Sequence, residues 1–300
     1  MITTKARAAS ISVLINTFLV LLKLVAGAIT GSIAIVTEAF HSSVDLLAAV
    51  IALISVRKAD EPADAQHPYG HEKVENVAAG LEGMLILVGA GLIIFEAIRR
   101  LADGSAIDSM PLGFSAMCVS TVATAGLGIF LRGQARLHHS PALAGDAAHM
   151  RADTVTSVGV LVGLGLVNLT GENSWDAIAA LVVAVFIVYS GARIILRSGR
   201  ELVDEAPPEE DLDAIEAAIA TARGPQVLGY HKLRARRAGA RCHIDLHVQF
   251  ISGISLEQAH HQAHHLRAEI ERVIPNSEVL IHLEPESSAG APDDDPLRHG

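Results

Sequence analysis

The chain is divided into long apolar runs, each near or above the ~20 residues that a helix needs to cross the hydrocarbon core of a bilayer. Six can be marked: Ala8 to Ile29, Ser32 to Val56, Val74 to Ile98, Met110 to Leu131, Ala142 to Leu169 and Trp175 to Leu196. A hydrophobic content of 50% and a mean hydropathy of +0.39, grouped in such blocks, predict a polytopic membrane protein. The turn Thr30-Gly31-Ser32 makes the first two spans antiparallel neighbours. Lys5, Arg7, Arg57, Lys58, Arg132, Arg136, Arg197 and Arg200 all fall on one side of a six-span layout, which the positive-inside rule makes cytoplasmic, with both termini on that side. Arg99 and Arg100 fall on the opposite side, as an exception, and Lys23 inside the first span must snorkel or pair internally. Met1 to Arg7 is too short for the leading region of a signal peptide, and the first run continues into the chain, so no cleaved leader is expected.

Inside the second run stands His41-Ser42-Ser43-Val44-Asp45, an imidazole and a carboxylate with no charged neighbour in sequence. Four residues apart on a helix, they share a face. The pattern returns as His149 and Asp153 at the start of the fifth run. Each ionisable group at mid-membrane costs on the order of 2–4 kcal/mol to insert, so such groups persist where they have a function or a partner. Two helices offering one His and one Asp each supply two nitrogens and two oxygens, a tetrahedral shell suited to Zn²⁺. Mutual salt bridges within the bilayer are the structural alternative.

Between the second and third runs, Asp64, His67 and His71 lie in a loop broken by Pro62, Pro68 and Gly70. One bend brings all three to one ion; a polar loop with two unrelated histidines is an equal reading. The following His71-Glu72-Lys73-Val74-Glu75 is not HExxH, so a metalloprotease has no support there. Glu75 and Glu82 on the third span either line a polar cavity or sit near the cytoplasmic end, and the second reading is preferred for Glu75.

Past Asp204-Glu205-Ala206-Pro207-Pro208 the composition becomes that of a soluble domain. Acids at 209–211 open a helix to about Ala222. A strand follows at Val227 to Arg236, then a strand from Arg241 to Phe250 with apolar Cys242, Ile244, Leu246, Val248 and Phe250 on one face and His243, Asp245 and His247 on the other. Ser255 and Gln258 form a capping box for a helix to Val273, and Glu278 to Glu284 is a last strand. The order αββαβ makes a small two-layer α+β domain. The domains expected are thus an all-α six-helix transmembrane domain at 1–203, a cytoplasmic domain at 204–286 and a disordered tail at 287–300. The net charge of −10 argues against a nucleic-acid partner. Cys118 and Cys242, far apart and without CxxC context, are read as buried small residues rather than a disulfide or thiolate site. The C-terminal domain is dense in histidine, with His231, His243, His247, His260, His261, His264, His265 and His282; His261 and His265 fit a solvated helix face. His247, His282 and Glu284 fall on non-apolar faces of adjacent strands.

These motifs resemble the cation diffusion facilitators, bacterial-type proton-coupled exporters of divalent metals, over nearly the whole chain. The resemblance implies that His41, Asp45, His149 and Asp153 form the transport site and that Asp64, His67 and His71 form a loop site. It also implies a binuclear cytoplasmic site of His231, His247, His260, His282 and Glu284, a homodimer joined by the C-terminal domains, and a charge interlock of Lys73 with Asp204. The function expected is a proton-coupled antiporter in the cell (inner) membrane that exports Zn²⁺, with Fe²⁺, Co²⁺, Ni²⁺ and Cd²⁺ as possible cargo. Metal and protons compete for one set of ligands, and Zn²⁺ also acts as a regulatory ligand. A membrane-embedded zinc hydrolase needs an open coordination position, which four protein ligands close; a metal sensor that moves no ion is the third class. The expectation is therefore not an enzyme.

Overall fold

The computed structural model describes the backbone of residues 4–30, 33–103, 111–172 and 174–286. The turn residues Gly31 and Ser32, the tail from 287 with His299, and the side chains of His41, Arg100, Cys118, Asn168 and Asp176 lie outside the described residues. The chain divides into two compact units, Met1–Arg200 and Glu201–Gly300.

The first unit carries α1 (Thr4–Thr30), α2 (Ile33–Ala59), α3 (Lys73–Asp103), α4 (Pro111–His138), α5 (Pro141–Thr170) and α6 (Ser174–Leu202). Among the described residues, Thr4–Val25, Lys73–Arg99, Pro141–Val167 and Ala177–Leu202 are each long and apolar enough to cross a membrane. Burial runs opposite to that of a soluble core. Ala48, Ala49 and Ala52 of α2, Ala78 and Ala79 of α3 and Ala142 and Ala147 of α5 are buried, whereas Phe18, Leu92, Ile129 and Val182 point outward. Lipid tails are as apolar as leucine, so large side chains gain little by turning inward, and small residues let helix backbones approach. α3 and α6 approach closely at Gly83 and Gly191. A Cβ on Gly83 would lie 2.7 Å from Ile195 Cγ1 and 3.1 Å from the Gly191 carbonyl.

Polar residues tie the helix ends together. Lys5 Nζ lies 2.8 Å from Asp60 Oδ1 and 2.7 Å from Glu75 Oε1. Ser140, the N-cap of α5, donates to Glu75 and accepts from the Leu143 N–H at 3.3 Å. Glu75 is thus fully buried near its helix end rather than merely placed there, because a cation from α1 and a cap from α5 converge on it. Lys23 pairs internally, donating to Ser42 Oγ at 2.7 Å, and exposed Arg99 holds Glu96 at 3.2 Å.

The second unit runs α7 (Glu209–Ala222), β1 (Val227–Ala238), β2 (Arg241–Phe250), α8 (Leu256–Val273) and β3 (Ser277–Pro285). Three acids occupy the first turn of α7, and Ser255 with Gln258 forms the capping box of α8. The sheet order is β1-β2-β3, with β1 antiparallel and β3 parallel to β2. Ile244, Leu246, Val248 and Phe250 pack with Ile215 and Ile219 of α7 and Leu266 and Ile270 of α8 into one core. Cys242 is buried in the same core, and that burial pushes its thiol pKa up, which keeps it protonated and inert.

Gly83→Val is expected to lower the thermal midpoint of the detergent-solubilised protein, overpacking of this kind costing about 1–3 kcal/mol. Gly89→Ala, where the added Cβ meets no atom within 4 Å, is expected not to lower it; paired circular-dichroism melts check both.

Candidate metal centre

Among the described residues, three groups of potential metal ligands come together, Asp45 with His149 and Asp153, Asp64 with His67 and His71, and His231 with His247 and Glu284, each with its ligand atoms within 4.8 Å of one another. The first lies within the helical unit. His149 Nε2 is 3.1 Å from Asp45 Oδ1 and 3.8 Å from Asp153 Oδ2. His149 and Asp153 share a face of α5 by their four-residue spacing, and Asp45 reaches them from α2. The approach of α2 depends on its alanines, since Ala48, Ala49 and Ala52 are all 0% exposed. Asp45 and His149 are buried and Asp153 is half-buried. His149 Nδ1 has no hydrogen-bond partner among the described residues, which leaves Nε2 as the nitrogen facing both carboxylates.

The second group is the loop Asp64, His67 and His71. Asp64 Oδ1 accepts from the backbone N–H groups of Gln66 and His67 at 2.8 and 2.7 Å, forming a turn around the aspartate. The His67 N–H is the first cause holding the Asp64 carboxyl below its ordinary pKa, with the Gln66 N–H and the two imidazoles adding to it. His71 is buried, with Nε2 3.3 Å from Asp64 Oδ2, yet neither ring nitrogen has a hydrogen-bond partner among the described residues. Proximity without hydrogen-bond alignment is what a donor set for an ion presents.

The third group belongs to the sheet. Strand register places His231 of β1 opposite His247 of β2, and His247 opposite His282 of β3. Their rings follow one another at 5.3 and 4.7 Å between centroids. Glu284, two residues on along β3, lies under this row. His247 Nδ1 is 2.6 Å, His231 Nε2 3.0 Å and His282 Nε2 3.9 Å from its carboxylate. Burial pushes the Glu284 pKa up, but the His247 hydrogen bond and the three imidazoles outweigh it and bring it below the ordinary value. His260 stands apart within one chain. α8 packs through Ala259, Leu266 and Ile270 into the core on the apolar sheet face, and the exposed His260 ring meets His264 at 4.5 Å. Asp204 bonds Arg236 at 2.9 Å.

Two acids, Glu82, already marked as a candidate cavity-lining group, and Asp146, which the sequence reading passed over, are fully enclosed, both 0% exposed. An acid one turn before His149 in the fifth apolar run was the available sequence signal for Asp146.

The arrangement sets potential metal ligands together within an apolar helical unit and, separately, on the sheet of the second unit. Residues 9–203 match the cation efflux transmembrane domain, and residues 207–286 match the cytoplasmic domain of cation efflux proteins. The chain belongs to the cation diffusion facilitator family: it is a multi-pass cation efflux transporter and not an enzyme. It is 32% identical over 282 residues to the cation-efflux pump FieF of Klebsiella pneumoniae, covering 94% of this chain and 93% of that one. An uncharacterized transporter of Synechocystis sp., sll1263, is 32% identical over 264 residues, covering 88% of this chain and 85% of its own. A solved CzrB structure shares 28% identity over 27% of this chain and 99% of its own, at a TM-score of 0.26.

Folding leaves Glu284 titrating below its ordinary range, so its stabilisation is complete above that range and is lost as pH falls through the folded value. A fragment of residues 201–286, which carries its own core, is expected to lose thermal stability on acidification. Glu284→Gln should flatten that dependence, as followed by melts at a series of pH values.

Proposed function

We propose that this transporter exchanges cytoplasmic Zn²⁺ for protons, with Asp45, His149 and Asp153, joined by His41, as the transport site. The observation that carries the reading is the convergence of His149 Nε2 with Asp45 at 3.1 Å and Asp153 at 3.8 Å inside the helical unit. A divalent ion requires a neutral imidazole nitrogen and ionised carboxylates, so every proton taken by these groups opposes metal. A site open to an acidic exterior then takes protons and releases metal, and one open to the cytoplasm does the reverse. Imidazole, with an unperturbed pKa of about 6.5, titrates between the usual pH values of the two sides. Nitrogen in the donor set favours Zn²⁺, Co²⁺ or Ni²⁺ over Mn²⁺ and Mg²⁺.

The same reading puts both termini in the cytoplasm of a cell whose inner membrane holds the protein. It makes the loop group of Asp64, His67 and His71 a second metal site, and the row of His231, His247, His282 and Glu284 a regulatory Zn²⁺ site. His260, exposed on α8, joins that site only if the two chains of a homodimer bring it there. Zinc binding at the row favours the arrangement of domains that binds it best, and so links cytoplasmic zinc to transport.

Sealed proteoliposomes with an internal zinc indicator and an imposed pH gradient test the exchange. Uptake that grows with an acidic lumen supports it, and uptake indifferent to the gradient overturns it. Asp45→Ala and Asp153→Ala are each expected to cut zinc flux more than about tenfold, since even losing a group that only hydrogen-bonds a metal ligand costs about 10–100-fold in metal affinity or activity. His41→Asp should retain flux and widen it toward Mn²⁺ and Fe²⁺, read as competition between metals in the same assay.

A further inference from the structure

The buried acids Glu82 of α3 and Asp146 of α5 are not among the groups assigned to metal. Both are 0% exposed; neither Glu82 oxygen has a hydrogen-bond partner among the described residues, and Asp146 has the Ser12 hydroxyl as its side-chain partner. Asp146 is the only charged group bearing on Glu82 among the described residues. Those bearing on Asp146 are His149, Asp153 and Asp45, with the Ser12 hydroxyl of α1 close by. The position is built: a Cβ on Gly145 would land on the Glu82 carboxylate and against Ala79 of α3. A residue without a side chain is therefore required where Glu82 lies along α5, beside Asp146. Asp146 precedes His149 by three residues, which is about 4.5 Å along a helix axis.

Two ionised carboxylates cannot remain together in a dry interior without a compensating cation. The cluster of metal-ligating groups nearby, Asp45, His149 and Asp153 with ligand atoms within 4.8 Å of one another, includes neither acid. A proton needs only the pair, with one carboxyl as O–H donor and the other as acceptor.

We propose that Glu82 and Asp146 hold one proton between them and release it when metal occupies the neighbouring Asp45, His149 and Asp153, so that the pair carries part of the proton countertransport. The inference rests on the proton-exchange reading above. The step balances: the O–H bond of the protonated carboxyl breaks, the proton passes to water, and the carboxylate left behind faces the two positive charges of the arriving ion. When metal leaves, the pair takes a proton back. The pair is thus a proton-binding site, while the ion is held elsewhere.

The test uses purified full-length protein in detergent. Zinc binding is titrated calorimetrically in buffers of different ionisation enthalpy, which yields both zinc bound and protons released. Wild type, Glu82→Gln and Asp146→Asn are compared, and infrared difference spectra of the wild type follow the carbonyl band of a protonated carboxylic acid. The expected result is that either variant releases fewer protons per zinc, by up to about one, with zinc stoichiometry unchanged, and that the wild-type carbonyl band disappears on zinc addition. An unchanged proton count in the variants overturns the proposal. So does a zinc stoichiometry lower by one, which makes the pair a metal site. Should both variants fail to fold, the wild-type band decides: its absence before zinc is added overturns the assignment. If instead the wild type releases no protons at all on binding zinc, the exchange reading itself fails, which is a separate result.

Discussion

The constraint on which the helical unit depends is the cost of placing ionisable groups where water is absent. Each such group must find a partner, take a proton or serve as a ligand. Lys5 meets Asp60 and Glu75, and Lys23 meets Ser42. Asp45, His149 and Asp153 meet one another. Apolar contact cannot hold these helices together against lipid, so small residues bring the backbones close and polar pairs fix which faces meet. The buried alanines of α2 and the Gly83–Gly191 crossing belong to this logic as much as the ligands do, since small residues let the helix backbones approach.

The soluble unit solves a different problem with ordinary means. Its sheet has one apolar face under α7 and α8, and the alternation of side chains along a strand leaves the other face to His231, His247, His282 and Glu284. Parallel pairing of β3 with β2 and antiparallel pairing of β1 set the three histidines in a row across the sheet. The same two-layer geometry puts α8 on the apolar side, which is why His260 does not join the row within one chain and keeps company with His264 instead.

Much of this was legible in the sequence because its causes are local. The apolar runs mark the helices, the change in composition at Asp204 marks the second unit, and the period-2 pattern of 241–250 assigns the two faces of β2 before any partner strand is known. The spacing of His149 and Asp153 settles their shared face. The register that aligns His231, His247 and His282 could not be read in the same way. It depends on strand pairing across 51 residues of chain, from 231 to 282, with a bulge between His231 and Arg234.

By itself, then, the sequence determined which segments are helices or strands, which residues share a face, and that a His and an Asp recur at the same spacing in two apolar runs. Only the tertiary structure decided which acids are partnered. Glu75 and Glu82 lie seven residues apart on one helix, yet Glu75 meets Lys5 and Ser140 while Glu82 lies against Gly145 and feels the charge of Asp146. Helical periodicity fixes direction about an axis, but the charge a buried group meets is set by the neighbouring helix, and that depends on packing between residues distant in sequence.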